Sequence, residues 1–226
     1  MVFMPVFADV QSFKQNGYIS VSSSKSREVD PNIAELSFAV ETQAKTVDIA
    51  VNSNKNAANK VISSLKPLLD TKNGDTIKTS SFSVRPNYFY PKDKARVLDG
   101  YTVVNSVLVK TKKTSSVGSL IDVAVKNGAN RLDSLVFSLS DEDSIGNDLY
   151  PIAVKDAYSQ ATVIAKSLNM SILGVKSISA NINSQNRPWA TAMYAKALDR
   201  TEEVSTPIET GKIKVTVTIN AEFEVK

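Results

Sequence analysis

With 226 residues and 42% apolar side chains, the chain can bury a real core, either as one large domain or as two small ones. Its formal charge of +4 arises from 27 basic and 23 acidic residues spread along the chain, and the tightest basic run is Lys110, Lys112 and Lys113, which excludes the clustered basic face of a nucleic-acid binder. Cysteine and histidine are both absent, so thiol redox chemistry, disulfides, Ser-His and Cys-His nucleophile pairs, imidazole general bases and nearly all zinc and haem sites are excluded.

Catalysis would have to rest on Asp, Glu, Lys, Tyr or Arg, and no pair of these stands at a spacing that would drive two pKa values apart. The sequence therefore offers no catalytic residue, no metal ligand and no cofactor site. The expectation is a protein that is not an enzyme.

The chain opens with "MVFMPVFADVQS", an apolar run closing on Val6-Phe7-Ala8, which fits the small-residue rule at the end of a secretory signal. Residues 1–16 are read as a signal remnant and tail, with cleavage near Ala8 and an exported, periplasmic product. No run of 18 apolar residues follows, so no membrane span is expected.

Tyr18 to Ser22 is a short strand candidate, and after Asp30-Pro31 the residues Ala34, Leu36, Phe38 and Val40 share one face of a second; the two read as a hairpin. A helix opens at Lys45-Thr46, with Val47, Ala50, Val51, Ala58, Val61, Ile62 and Leu65 at helical spacing, and ends by Pro67 and Gly74. Strands at 76–85 and 100–110 follow, joined by a loop that holds an aromatic cluster. A short helix at 116–126 has Ser116 at its cap and Gly128 where a left-handed residue belongs.

Leu135, Phe137 and Leu139 alternate with serines as a strand. A helix over 144–168 carries Ala153, Ala157, Ala161 and Ala165 as a stripe, with Pro151 tolerable only near its first turn. A strand over 171–182 is expected to turn Ile178, Ala180 and Ile182 inward. From Ile213 to Val225 every odd position is apolar and every even one polar, the clearest strand in the chain. The order ββα-ββαβ-αββ predicts an α+β fold of antiparallel sheets covered by long helices, in two lobes: 17–75 with 141–226, and 76–140.

Few constellations suit a site. "SDEDS", residues 140–144, lacks the glycine and ligand spacing of a calcium loop and reads as acidic residues at a helix start. Asp122 and Lys126, one turn apart, read as a surface ion pair. The rings of "NYFYP" stand out, with Arg85 before them and Tyr101 beyond: Arg85, Tyr88, Phe89 and Tyr90 are candidates for contact with another lobe, another copy or a ligand. The 28 residues from Asn183 to Thr210 hold Trp189, Met193, Tyr194 and Leu198, too apolar for a solvent loop, and are read as an arm reaching a partner.

The stretches "VDPNIAELSFAVET", "IKTSSFSVRPNYFY", "GYTVVNSVLV", "LIDVAVKNGANRL", "AVKDAYSQATVIAKSLNMSILGV" and "TPIETGKIKVTVTINAEFEV", in this order, resemble the SIMPL domain family over essentially Gly17 to the C-terminus. That family includes bacterial periplasmic oxidative-stress defence proteins and a periplasmic immunogenic protein of pathogens. One departure is Asn32 after Pro31, where aspartate is expected.

The resemblance implies an exported protein with no agreed catalytic residues, linked by phenotype to lower levels of reactive oxygen species, and a relative that forms a large ring-shaped or channel-like homo-oligomer. Without thiol or imidazole, any such antioxidant effect is expected to be indirect. The expected partners are further copies of the chain, with envelope proteins or ligands as the alternative, and neither nucleic acid nor a membrane span. In that alternative the loop at 85–91 makes the protein a periplasmic binding module for a peptide, glycan or envelope component.

Overall fold

A computed structural model describes residues 17–92, 95–185 and 206–226. Its elements are β1 (Gly17–Val29), β2 (Ile33–Ala44), α1 (Val47–Leu65), β3 (Thr76–Phe89), β4 (Val97–Thr111), α2 (Val117–Lys126), β5 (Arg131–Ser138), α3 (Glu142–Ser167), β6 (Ile172–Gln185) and β7 (Ile213–Val225). The class is α+β, with antiparallel sheets and three helices among the described residues. The chain divides into two compact units. One takes the chain up to Arg27, Asp143–Asn183 and Val215–Lys226; the other takes Glu28–Glu142 and Ser184–Lys214.

In the second unit the four strands lie in the order β3-β4-β2-β5, each antiparallel to its neighbour. The register sets Leu36 opposite Val109 and Phe38 opposite Val107, so the apolar rows of β2 and β4 merge on one face. Helix α1 covers that face with Ala58, Val61 and Leu65, and α2 adds Val117, Leu120, Ile121 and Ala124. Each of these valine, leucine and isoleucine side chains, fully buried, contributes roughly 1.5–3 kcal/mol.

Asn54 interrupts the apolar row of α1 yet is fully buried, because its amide donates to the carbonyls of Val40 (2.7 Å) and Val103 (3.1 Å) and so ties the helix to two strands. Gly128 has the left-handed φ of +116° that its place after α2 requires.

Two local expectations change here. Asp122 bonds not with Lys126 but with Thr206, accepting from its amide (3.0 Å) and its hydroxyl (2.5 Å). Gly118, one turn earlier, leaves room for the Thr206 carbonyl, which any Cβ at this position would strike. The chain after residue 205 is thus clasped across α2, and Ile208 packs on the same core. The strands β3 and β4 also run further than their alternation indicates, so that Tyr88 and Phe89 belong to a strand.

In the first unit the sheet order is β1-β7-β6. Gly17 lies beside Val225 and Ser24 bonds Thr218, so β1 and β7 run antiparallel; Ser171 and Lys226 exchange both backbone hydrogen bonds at the β6 end. β1 therefore does not form the expected hairpin with β2: its buried Ile19, Val21 and Ser23 match the alternation of β7 instead.

Helix α3 lays Leu149, Ala153, Ala157, Ala161 and Ala165 inward, and Tyr158 meets Phe223 edge to face at 5.7 Å. The alanines let helix and sheet approach closely. Pro151 sits inside α3, well past the first turn, so the Asn147 carbonyl lacks its usual helical donor.

Along the β1 flank, Arg27 pairs with Asp148 (2.8 Å), and Asp156 accepts from Ser23 (2.7 Å) and Lys25 (3.1 Å). The Ser23 hydroxyl and then Lys25 hold the Asp156 carboxyl below its ordinary range. The inward face expected for β6 is not formed: Ile178 is 52% exposed and Ala180 is exposed, while Ile182 is half-buried where its side chain reaches Gly146. Among the described residues β6 has a strand on one side only, and the alanine stripe leaves most of it uncovered.

Candidate functional site

The β3–β4 hairpin carries the aromatic cluster. Its base is fixed by position: Gly100, at φ +132°, passes so close to β2 that a Cβ would lie 2.5 Å from the Ala44 carbonyl, and Lys45 bonds both the carbonyl (2.9 Å) and the carboxylate of Asp99. Asn87 and Thr102 then exchange side-chain hydrogen bonds of 2.7 and 3.1 Å across the ladder. Beyond them the register slips between Asn87 and Tyr88, a bulge that re-aims the strand end.

Past that bulge the hairpin is apolar and open. Tyr88 stands opposite Leu98 and Phe89 opposite Val97. All four are exposed, with Phe89 at 60%, and Tyr90 reaches 69%. The Arg96 guanidinium lies 4.5 Å from the centre of the Tyr88 ring, a contact worth about 0.5–1 kcal/mol at such an exposed place. Arg85 is exposed on β3, opposite Thr102.

Rings with a guanidinium, on a two-stranded support, suit contact with a protein surface or stacking on a flat ligand. The sequence pointed to the rings and missed Arg96, which lies eight residues from Tyr88 and becomes its neighbour only through hairpin pairing. Trp189, Met193, Tyr194 and Leu198 lie outside the described residues.

Two clefts of the second unit are formed by described residues. One, of about 340 Å³, is lined by Glu28, Phe137, Gln185 and residues 210–214; another, of about 350 Å³, is lined by Glu41, Gln43, Asn130 and Arg131. Each contains one acidic residue. In the latter, Arg131 is held by Asp133 and by Glu41 (2.7 Å), and the Asp133 hydrogen bond raises its pKa further. Glu142 and Asp143 of the "SDEDS" run lie in the first turn of α3, where the dipole favours them. Among the described residues, no three of His, Cys, Asp or Glu are placed to hold a metal ion, and no helix is long and apolar enough to cross a membrane.

Known proteins resemble this chain over most of its length. A 26 kDa periplasmic immunogenic protein of Brucella melitensis is 27% identical over 229 residues, spanning 99% of this chain and 91% of the relative. The uncharacterized protein YggE of Edwardsiella ictaluri is 26% identical over 80% of this chain and 74% of its own length, and YggE of Escherichia coli K12 is 26% identical over 84% and 76%. The pattern of the SIMPL family, described as proteins of unknown function (DUF541), matches residues 19–223. The chain belongs to the SIMPL family.

Proposed function

We propose that the chain is an exported, non-enzymatic protein of the periplasm that assembles with further copies of itself and contributes indirectly to envelope or oxidative-stress defence. The observation that carries this reading is the open aromatic end of the β3–β4 hairpin, with Tyr88, Phe89 and Tyr90 all exposed beside Val97 and Leu98. Exposed apolar surface of this kind costs free energy in water that burial against a partner recovers. The periplasmic location is supported by the Brucella relative's name and by the full-length similarity to it. Lack of cysteine and histidine supports the non-enzymatic part.

Arg85, Tyr88, Phe89 and Tyr90 form the hairpin half of the contact, and Trp189, Met193, Tyr194 and Leu198 the arm half. Light scattering tests it: the wild type should exceed the mass of one chain, and the triple change Tyr88→Ser, Phe89→Ser, Tyr90→Ser should lower that mass. A wild type that stays a monomer removes the reading. A second reading rests on Arg96 seated over Tyr88, which leaves a cationic, aromatic surface for a peptide, glycan or envelope component. It requires the fluorescence of Trp189 to respond to such a ligand at constant mass.

A further inference from the structure

An open sheet edge displays unpaired N–H and C=O groups, and proteins usually blunt it with charge, proline or a bulge. Among the described strands, β3 carries Lys78, Arg85, Pro86 and two bulges, β1 carries Lys25, Arg27 and Glu28, and β5 is short with Arg131 and Asp133. β6 differs from all three. It runs 14 residues with no proline, β7 is its one strand neighbour among the described residues, and Leu173 (51%), Val175 (58%) and Ile178 are exposed. Its single charge, Lys176, is turned onto the Tyr18 ring (3.7 Å) and the Glu222 carboxylate (3.4 Å).

Helix α3 borders β6 at Ile182. Asp148 and Asp156 mark the helix flank that faces β1. Gly146, on the other flank, meets Ile182 of β6 and begins the four-residue row Gly146, Tyr150, Val154, Tyr158, in which Val154 and Tyr158 are exposed.

We propose that β6 is a pairing edge for β6 of a second copy, running antiparallel about a two-fold axis. The two three-stranded sheets then become one of six strands, with both α3 helices on the same face and their Val154 and Tyr158 flanks facing each other. A second copy fits for two reasons. Lys176 is already neutralised within each chain, so identical edges meet without like-charge repulsion. A 14-residue edge is roughly 45 Å long, and with a strand edge and helix flank roughly 15–20 Å broad it buries on the order of 800 Å² per copy, the size of a stable interface. This rests on the self-assembly reading and adds to it a contact separate from the aromatic hairpin.

The test is hydrogen exchange on the full chain at high and low concentration, together with the double variant Val175→Lys, Ile178→Lys, whose sites are exposed in the single chain. Amides of 172–185 should exchange at least about tenfold more slowly in the concentrated sample. The variant should lose assembly mass and keep the melting temperature that the wild type has when diluted to the monomer. A wild type that is monomeric throughout overturns this proposal and the self-assembly reading together. A wild type that assembles with no concentration-dependent protection of 172–185 overturns the β6 edge alone, even if the variant does not fold; so does a folded variant that keeps the wild-type mass.

Discussion

β6 and β7 are neighbours in one sheet, 14 and 13 residues long, and the sequence of each alternates over part or all of its length. Ile213, Val215, Val217, Ile219, Ala221, Phe223 and Val225 of β7 are all buried, whereas Leu173, Val175 and Ile178 of β6 stand in solvent. The difference comes from place in the sheet. β7 has a strand on either side and Tyr158 of α3 against its Phe223; β6 has one strand neighbour among the described residues. Alternation marks a strand, but only its partners decide whether the apolar row is core or surface.

The sharpest way to break this contrast is to truncate both strands. Ile219→Ala removes a fully buried side chain flanked by strands and should cost about 2–5 kcal/mol in urea unfolding, while Ile178→Ala should stay within about 0.5 kcal/mol in a dilute sample. Equal losses would show that β6 is packed within the single chain. Ala157→Leu should cost about 1–3 kcal/mol, because the stripe that brings α3 onto the sheet has no space for a larger residue. Thermal melts compared with Val154→Leu, on the exposed flank and expected to be near neutral, separate the two faces.

Two carboxylates extend the comparison from apolar to charged groups. Asp75, in the second unit, is almost wholly buried. Burial raises its pKa, but hydrogen bonds from the Lys112 amide (2.8 Å), the Asp70 amide (2.9 Å) and the Thr111 hydroxyl (2.9 Å) outweigh that effect and hold it below the ordinary value. Its folded pKa thus lies below its unfolded one. The stability it contributes is fully present above about pH 4 and is lost as pH falls through the folded value.

Asp75→Asn should cost about 1–3 kcal/mol at neutral pH and flatten the acid limb of the stability profile. Asp156, at the surface on α3, is shifted in the same direction, and Asp156→Asn should have the smaller effect, diminishing with added salt. An acid limb unchanged by Asp75→Asn would separate that carboxylate from acid unfolding.

Much of the fold can be read from local pattern. β7 alternates without a break, α1 and α2 keep helical spacing, and Gly128 marks a helix end; in each case neighbours in sequence determine the structure. Long-range pairing is less legible. β1 and β2 are joined by a turn, yet they belong to different sheets, because the complement to Ile19 and Val21 lies some two hundred residues away in β7.

The site is legible to the same degree. The rings of 88–90 are visible as a cluster, whereas the Arg96 contact depends on hairpin pairing and the Asp122–Thr206 clasp and the exposure of β6 on the placing of segments distant in sequence. Pro151 signals a helix start by its chemistry, and α3 runs through it because packing of the alanine stripe outweighs one lost hydrogen bond.

Sedimentation velocity of the purified, metal-free chain, from micromolar down to nanomolar concentration, addresses most directly whether this protein works by meeting copies of itself. Self-association through the hairpin rings and β6 requires a coefficient well above that of one chain at the upper end, falling on dilution. A coefficient fixed at the single-chain value over the whole range would contradict it.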